Sequence, residues 1–212
     1  MSAPRLVLAT HNQHKLGELR AILGPVVPGL AAQEVVGAGE VGGPEPVEDG
    51  VTFAENALIK ARALVAHTGL PAVADDSGLA VDVLGGAPGI FSARWSGRHG
   101  DDAANLALLL AQLADVPAAH RGAQFTCAAA LVTPAGFEHV ETGALRGRLT
   151  TEPRGEGGFG YDPALVPELQ PARAGDAELT CAELTAEEKN AISHRGQAFR
   201  ALARVIAEQL GT

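Results

Sequence analysis

Residues 71–84, PAVADDSGLAVDVL, decide how this chain is interpreted, because a buried strand there leads into two adjacent carboxylates. The first four residues predict a strand that ends at Asp75-Asp76-Ser77-Gly78, and residues 79–84 continue in an extended conformation. Neighbouring carboxylates at the carboxyl edge of an α/β sheet are costly unless cations or hydrogen bonds compensate them. The stretch therefore predicts a charged site at a sheet edge. The alternative is a capped turn, since Asp, Ser and Gly are common turn residues.

Helical and extended patterns alternate on both sides of this stretch. The predicted strands cover residues 5–9, 26–36 (a weaker signal), 71–74, 124–133 and 137–150, and residues 79–84 are extended. Capping boxes at Thr52–Glu55 and Thr185–Glu188 mark the starts of two helices, and Asp101-Asp102 opens another. Pro134-Ala135-Gly136 joins the last two strands as a hairpin. Strands that alternate with helices, together with a hairpin, predict an α/β fold with a mixed central β-sheet and flanking helices.

Composition narrows the class of protein. The chain has 212 residues, 46% hydrophobic and 19% charged, which fits one globular domain and excludes wholesale disorder. Its apolar stretches are far shorter than a membrane span, and its two cysteines are too few for a disulfide framework. The formal net charge of −9 is unfavourable for a broad nucleic-acid surface. We therefore expect a cytoplasmic protein with neither a membrane nor a nucleic-acid partner.

The few lysines stand out against this acidic background. Of the 16 cations only three are lysine, namely Lys15, Lys60 and Lys189, and the rest are arginine. Because this chain uses arginine for its general surface cations, its few lysines indicate positions where a compact ammonium group matters. The alternative is a composition bias that spared three lysines at random.

The first lysine closes a polar segment at the point where a strand gives way to a helix. The segment consists of Thr10, His11, Asn12, Gln13, His14 and Lys15. Backbone N–H groups at a helix start favour a phosphate, and Lys15 adds a positive charge. The alternative is an ordinary helix cap followed by a surface lysine.

Further carboxylates and a second lysine precede the deciding stretch. Glu48-Asp49 ends an acidic loop, and Lys60 lies in the helix that Thr52 caps. Hard oxygen ligands of this kind suit Mg²⁺, which binds proteins through one or two carboxylates, waters and substrate phosphates. Taken alone, Lys60 is equally well explained as a solvated helix residue.

Two later segments carry aromatic and basic side chains. Residues 155–160, GEGGFG, match a dinucleotide-binding pattern, but Pro163 discourages the helix that this pattern requires. A flexible glycine loop that presents Phe159, Tyr161 and Asp162 to a ligand is the better interpretation. Lys189 and the pair His194-Arg195 could contact a base or a phosphate, or they could belong to an exposed helix face. Motifs for P-loop nucleotide binding, zinc binding and serine hydrolases are absent from the sequence.

Five strings in this order resemble the inosine/xanthosine triphosphate pyrophosphatase family over nearly the whole chain, residues 6–202. They are ATHNQHK, EDGVTFAENALIKA, ADDSGLAVDVLGGAPGIFSARWSG, GGFGYDP and ELTAEEKNAISHRGQA. The resemblance implies a single domain, residues 1–212, of two lobes with the nucleotide in a cleft between them, and a homodimer. It also implies Mg²⁺-dependent hydrolysis of a nucleoside triphosphate to the monophosphate and pyrophosphate.

The resemblance assigns roles position by position. It implies that Glu48 and Asp76 bind the metal and that Asp76 is also the catalytic base for the attacking water. Residues 10–15 become substrate-binding, with Thr10, Asn12 and Lys15 on the triphosphate. The other implied substrate contacts are Lys60 (phosphate), Ser77, and, around the sugar and base, Phe159, Gly160, Tyr161, Asp162, Lys189, His194 and Arg195.

The implied substrates are the non-standard purine triphosphates ITP, dITP and XTP. Their bases carry an acceptor oxygen at C6 where adenine carries an amino donor, so a donor such as Arg195 or a backbone N–H would discriminate between them. Two alternatives stay open at this point. One is a pyrophosphatase for pyrimidine triphosphates, and the other is a nucleotide-binding sensor that has lost turnover.

Overall fold

The computed structural model describes residues 3–10, 13–175 and 177–211, without the side chains of residues 13 and 14. The strands are β1 Leu6–Leu8, β2 Val35–Gly37, β3 Ala72–Val81, β4 Gly122–Val132, β5 Glu138–Leu149 and β6 Leu165–Pro167. The helices are α1 Gln13–Leu23, α2 Phe53–Thr68, α3 Asp102–Gln112, α4 Ala186–Ile192 and α5 His194–Leu210. None of the helices in the described ranges is long and apolar enough to cross a bilayer.

The strands form one six-stranded sheet in the order β2-β1-β3-β4-β5-β6. β1 pairs in parallel with both β2 and β3, whereas β5 and β6 pair antiparallel. The turn between β4 and β5 closes with a hydrogen bond from Thr133 N to Phe137 O, as the hairpin prediction requires. The predicted α/β fold with a mixed sheet and flanking helices is confirmed.

The chain divides into two compact units. Unit 1 comprises Met1–Asp76, Cys127–Gly143 and Arg195–Thr212, and unit 2 comprises Ser77–Thr126 and Ala144–His194. The three long strands β3, β4 and β5 each contribute residues to both units.

In unit 1, helices cover both faces of the sheet. Val73 packs in a cluster with Leu16 and Leu19 of α1 and with Phe199 of α5. Its neighbour Ala74 packs in a different cluster, with residues of α2. Successive residues of a strand point to opposite faces, so β3 presents alternate side chains to α1 and α5 on one side and to α2 on the other.

Unit 2 has its own core, in which α3 packs with residues of β3, β4, β5 and β6. Arg121 is 1% exposed there and donates to three carbonyl oxygens, those of Leu113, Leu149 and Thr150. A buried guanidinium is tolerated when its N–H groups find acceptors, and here it connects the end of α3 to the end of β5.

The capping boxes predicted from the sequence are both present. The Thr52 side chain accepts from Glu55 N at the start of α2, and the Thr185 side chain accepts from Glu188 N at the start of α4. Ser193 lies between α4 and α5.

Two predictions about strands are wrong. Residues 26–36 form only the short strand β2 at their end, because a turn and a 3-10 segment, Ala32–Glu34, occupy most of that range. Asp75-Asp76 also does not end its strand, since β3 continues to Val81. However, β1 ends at Leu8, which is in register with Val73. The two acids therefore lie just beyond the carboxyl end of the parallel neighbour, which is the position expected for a site in an α/β sheet.

Candidate active site

Asp75 and Asp76 face different surroundings because they are consecutive residues of β3. Asp75 is on the side of Val73, where α1 and α5 pack, and Asp76 is on the side of Ala74, where α2 packs. The strand thus directs one carboxylate into each of two clusters of charged groups within unit 1.

Asp75 is the buried acid of the first cluster. Lys15 Nζ lies 3.3 Å from both of its carboxylate oxygens, and Arg195 Nε donates to Oδ2 at 3.1 Å. Burial alone would raise the pKa of Asp75, but the positive charges of Lys15, Arg195 and Lys60 outweigh it and hold that pKa well below its usual range. Asp75 is therefore ionised at neutral pH and compensates two cations. The sequence pattern alone did not indicate this role for Asp75.

The second cluster brings Glu48, Lys60 and Asp76 together. Lys60 Nζ lies 3.2 Å from Glu48 Oε1 and 3.6 Å from Asp76 Oδ1. The Lys60 and Asp76 side chains are about equally sheltered, at 16% and 15% exposure, while that of Glu48 is 34% exposed. Two carboxylates from distant parts of the chain thus converge on one positively charged atom.

Asn56 holds this second cluster in place, a role that was not predicted from the sequence. Its Nδ2 donates to Asp76 Oδ2 at 3.1 Å, and its Oδ1 accepts from Gly50 N at 2.9 Å. Asn56 is 1% exposed and lies one helical turn before Lys60, so both side chains lie on the same face of α2. That four-residue spacing was the available signal. A Cβ on Gly50 would lie 2.7 Å from Asn56 Oδ1, so this close approach requires glycine.

The second cluster has the chemistry of a Mg²⁺ site. Its two carboxylates already share a cation, and Mg²⁺ binds through one or two carboxylates together with waters and substrate phosphates. Within the described residues there is no group of three or more His, Cys, Asp or Glu that could enclose a metal. The residues fit an ion that takes its remaining ligands from water and substrate.

The predicted phosphate-binding segment is described only in part. Thr10 is buried, and its carbonyl oxygen accepts from Ala38 N at 3.1 Å. His11 and Asn12 lie outside the described residues, and the side chains of Gln13 and His14 are not described. Lys15 is in the first turns of α1, where its ammonium is paired with Asp75.

Arg195 is placed with the first cluster. Its side chain is 13% exposed. Burial alone would lower the pKa of Arg195, but the charge and hydrogen bond of Asp75, together with other nearby acidic groups, raise it. Nε of the guanidinium is engaged by a carboxylate that also binds Lys15. The predicted contact between Arg195 and a base remains a prediction.

Unit 2 brings Phe159, Gly160, Asp162 and Lys189 together. Asp162 accepts from Phe159 N at 2.8 Å and forms a short ion pair with Lys189. Lys189 Nζ lies 4.8 Å from the centre of the Phe159 ring, which is 63% exposed. Gly160 N donates to Asp102 at 2.8 Å. An exposed ring beside an ammonium group is a surface on which a planar ligand can stack.

Tyr161 does not extend toward a ligand, contrary to the prediction from the glycine-rich sequence around it. It is 5% exposed in the core of unit 2, and its hydroxyl donates to Ser92 O at 2.9 Å. Burial raises its pKa, with Asp102 adding to the shift. His194 is also buried, stacked on Phe125 with ring centres 5.2 Å apart. Ser77 follows Asp76 in β3 and belongs to unit 2.

The glycines before Phe159 serve close packing and not the flexibility that the sequence suggested. A Cβ on Gly157 would lie 2.7 Å from Ala182 O, and one on Gly158 would lie 2.1 Å from Asp162 Oδ2. Gly158 also has a φ of +73°, a conformation that other residues rarely adopt. The loop is held against its neighbours, which fixes the position of Phe159.

The six-stranded mixed sheet, with its clusters of acids and lysines next to β3, agrees with the result of comparing the chain with known protein families. The chain belongs to the Ham1 family, whose model matches residues 6–205. The family resemblance inferred from the sequence motifs is confirmed.

Individual relatives carry a more specific description. A protein of Streptomyces avermitilis described as a dITP/XTP pyrophosphatase is 64% identical over 208 residues, which cover 98% of this chain and 99% of that protein. A crystal structure of a nucleoside-triphosphatase / dITP/XTP pyrophosphatase from Mycobacterium abscessus has 53% identity and a TM-score of 0.77, covering 93% of this chain and 98% of that one. The structure of a HAM1 protein from Coxiella burnetii has 39% identity and a TM-score of 0.84, covering 97% and 99%.

Proposed function

We propose that this protein hydrolyses non-standard purine nucleoside triphosphates (ITP, dITP and XTP) to the nucleoside monophosphate and pyrophosphate, with Mg²⁺ as its cofactor. The descriptions of its relatives as dITP/XTP pyrophosphatases support the substrate class. The observation that carries the proposal is the convergence of Glu48 and Asp76 on Lys60, with Lys15 held by Asp75 on the other side of the same strand. This arrangement suits a polyphosphate bound together with a divalent cation.

In the proposed reaction, a water oxygen forms a bond to the α-phosphorus, and the bond from that phosphorus to the oxygen bridging to the β-phosphorus breaks. Asp76 accepts the proton of the attacking water, and pyrophosphate leaves with the bridging oxygen. Lys15 and Lys60 compensate the negative charge of the phosphates. When bound by Glu48 and Asp76, Mg²⁺ supplies Lewis-acid stabilisation of the phosphate oxygens. The side chains contribute mainly positioning and electrostatic stabilisation.

We assign Thr10, His11, Asn12, Gln13 and His14 to the phosphate-binding segment, as the resemblance implies. In unit 2, the exposed ring of Phe159 beside Lys189 supports a stacking role toward the base. Tyr161 and His194 are buried and would act by supporting that surface. Gly160, Asp162 and Ser77 are the other proposed contacts of the substrate.

Discrimination against ATP requires a donor to the oxygen at C6, and we propose Arg195 or a backbone N–H for it. A site built around such a bond can reject a base without the acceptor by about 10⁴-fold or more. The ion pair between Arg195 and Asp75 allows a second outcome. If Arg195 instead helps to bind the phosphates together with Lys15 and Asp75, Arg195→Ala would weaken the turnover of ITP and ATP equally. The ratio of the kcat/KM values for ITP and ATP therefore separates the two roles.

The resemblance also suggests a single two-lobed domain, a homodimer and a cytoplasmic location for the protein. Light scattering of the purified chain tests the dimer, because a monomer over the working concentration range would contradict it.

The direct test is pyrophosphate release from ITP, dITP, XTP, GTP and ATP, with a pyrimidine triphosphate panel beside them. We expect release from the first three, dependence on added Mg²⁺, and loss with EDTA. Preference for pyrimidine substrates would favour the first alternative of the sequence analysis. Tight nucleotide binding without release would favour the sensor.

The matched variants for this assay are Asp76→Asn and Asp82→Asn. We expect Asp76→Asn to lose about 10²–10⁴-fold in kcat at saturating Mg²⁺, because the base and a metal ligand are both removed. Asp82 is exposed and paired with Arg146 at 2.9 Å, so its change controls for the loss of one carboxylate. Near-normal turnover by Asp76→Asn would contradict its role.

A further inference from the structure

We propose that Lys60 occupies the divalent-cation position in the nucleotide-free protein, so that the metal binds tightly only when a triphosphate draws Lys60 away. Lys60 would then couple metal binding to substrate binding, in addition to contacting a phosphate. This inference rests on the proposed function, because it concerns the same two carboxylates.

The first observation is the position of one atom. Lys60 Nζ is within 3.6 Å of an oxygen of Asp76 and 3.2 Å of an oxygen of Glu48. A divalent ion that took both oxygens would require the space beside this ammonium group, since magnesium–oxygen distances are about 2.1 Å. The ammonium and the metal therefore compete for the same pair of carboxylates.

The second observation is that the carboxylate is oriented before any metal arrives. Asn56 is 1% exposed, and its Nδ2 donates to Asp76 Oδ2 while Asp76 Oδ1 is the oxygen near Lys60. The oxygen directed at the cation position is thus the one that contacts Lys60. Because Asn56 is anchored to Gly50 N, Asp76 cannot easily turn its other oxygen to the metal.

The third observation is that the other lysine of unit 1 has a separate acid. Lys15 is paired with Asp75, which points to the opposite side of β3 from Asp76. Lys60 is an ion-pair partner of both Glu48 and Asp76. The ammonium group of lysine sits on a flexible four-carbon side chain and can move toward an arriving phosphate. The carboxylates have shorter side chains and move less.

Electrostatics then gives the direction of the coupling. An ammonium group and a divalent cation repel each other, and the repulsion is strong at short range in a partly buried site. With Lys60 in place, a metal alone meets a positive charge, and one of the two negative charges of the carboxylates is already compensated. Once Lys60 pairs with a phosphate, its charge no longer opposes a metal at the two carboxylates, so metal and triphosphate favour each other's binding reciprocally.

The test measures Mn²⁺ binding to the nucleotide-free protein by electron paramagnetic resonance of the free ion. Wild type is compared with Lys60→Met and Lys60→Gln. The matched control is Arg62→Met, which removes one positive charge from the same helix at an exposed residue paired with Glu138. We expect both Lys60 variants to bind Mn²⁺ at least about fivefold more tightly than Arg62→Met does, even though they lose turnover. Adding Glu48→Gln to Lys60→Met should remove this gain.

A second readout does not depend on a measurable dissociation constant. Without Lys60, two carboxylates lose their cation, and a bound metal restores one. The melting temperature of Lys60→Met should therefore rise more with Mn²⁺ than that of wild type or Arg62→Met. Equal or weaker Mn²⁺ binding by the Lys60 variants, or no detectable binding in any of them, would overturn the inference. If wild type released no pyrophosphate at all, the proposed function would fail instead, whatever the Mn²⁺ result.

Discussion

At the scale of single residues, the main feature is the pair Asp75-Asp76. The two carboxylates are adjacent in the chain but serve different clusters, because strand geometry turns them to opposite faces. Asp75 is buried between Lys15 and Arg195, and Asp76 is partly exposed beside Lys60. Asp75 is thus the buried partner of two cations, whereas the Asp76 side chain is 15% exposed.

We predict that Asp75→Asn destabilises the protein by about 3 kcal/mol at neutral pH, because it leaves two cations without their buried partner. The folded-state pKa of Asp75 is depressed, so its contribution is present above the unfolded-state pKa, about 3.9, and is lost as pH falls below it. Urea unfolding of both proteins at neutral pH and at several values below 4 measures the difference.

The stability gap between wild type and Asp75→Asn should therefore narrow in acid. A gap that stays constant down to the acid transition would contradict the assignment. Asp82→Asn provides the control, because its exposed pair with Arg146 should contribute less than about 1 kcal/mol at any pH.

At the scale of elements, the site depends on segments that are fixed by local packing. The capped helix α2 carries Asn56 and Lys60 one turn apart, so a single helix face serves Asp76. In unit 2, the loop that ends in Phe159 is held by glycines that pack against Ala182 and Asp162. Its rigidity means that a ligand would meet an already formed surface.

We predict that Gly158→Ala damages this loop much more than Gly136→Ala damages the hairpin turn. Both glycines have positive φ, +73° and +86°, so each change costs about 1–2 kcal/mol of backbone strain. Only the Cβ at residue 158 would also collide with Asp162, which adds about 1–3 kcal/mol of overpacking. Melting temperatures measure the difference, and equal losses for the two variants would contradict close packing of the loop.

The same pair of variants can be assayed with ITP. We expect KM to rise for Gly158→Ala, because displaced Asp162 no longer holds Lys189 and Phe159 N. Gly136→Ala should leave KM unchanged.

At the scale of the whole molecule, each unit contains one buried cysteine. Cys127 belongs to the core of unit 1 and Cys181 to that of unit 2. Burial raises the pKa of the Cys181 thiol to about 12, with Asp162 adding to the shift. Each thiol can therefore report on the opening of its own unit.

We predict that neither thiol of the native protein reacts with a disulfide reagent near pH 8 on the time scale of minutes. The single-cysteine variants Cys127→Ala and Cys181→Ala should become reactive only as urea unfolds the unit that carries the remaining cysteine. Labelling followed over a urea series measures both transitions. Rapid reaction in the absence of urea would contradict burial of that thiol.

Local patterns in the sequence were sufficient to predict several helix starts and the hairpin turn. Capping boxes at Thr52 and Thr185 and the hairpin turn at residues 134–136 were predicted because their signals lie within a few neighbouring residues. The strand predicted over residues 26–36 was wrong for most of its length, because a run of apolar residues in a turn resembles the pattern of a short strand. The roles predicted for Glu48 and Asp76 remain predictions, although both side chains do reach one cation.

The sequence by itself determined the α/β class, the family and the set of residue types for phosphate chemistry, because these depend on local patterns and motif order. Only the tertiary structure decided which groups are partners: Asn56 with Asp76, Asp75 with Lys15 and Arg195, and Tyr161 with the core. The reason is physical. Partnership depends on which face of a strand or helix a side chain leaves from and what packs against that face, and residues up to 120 positions apart meet there.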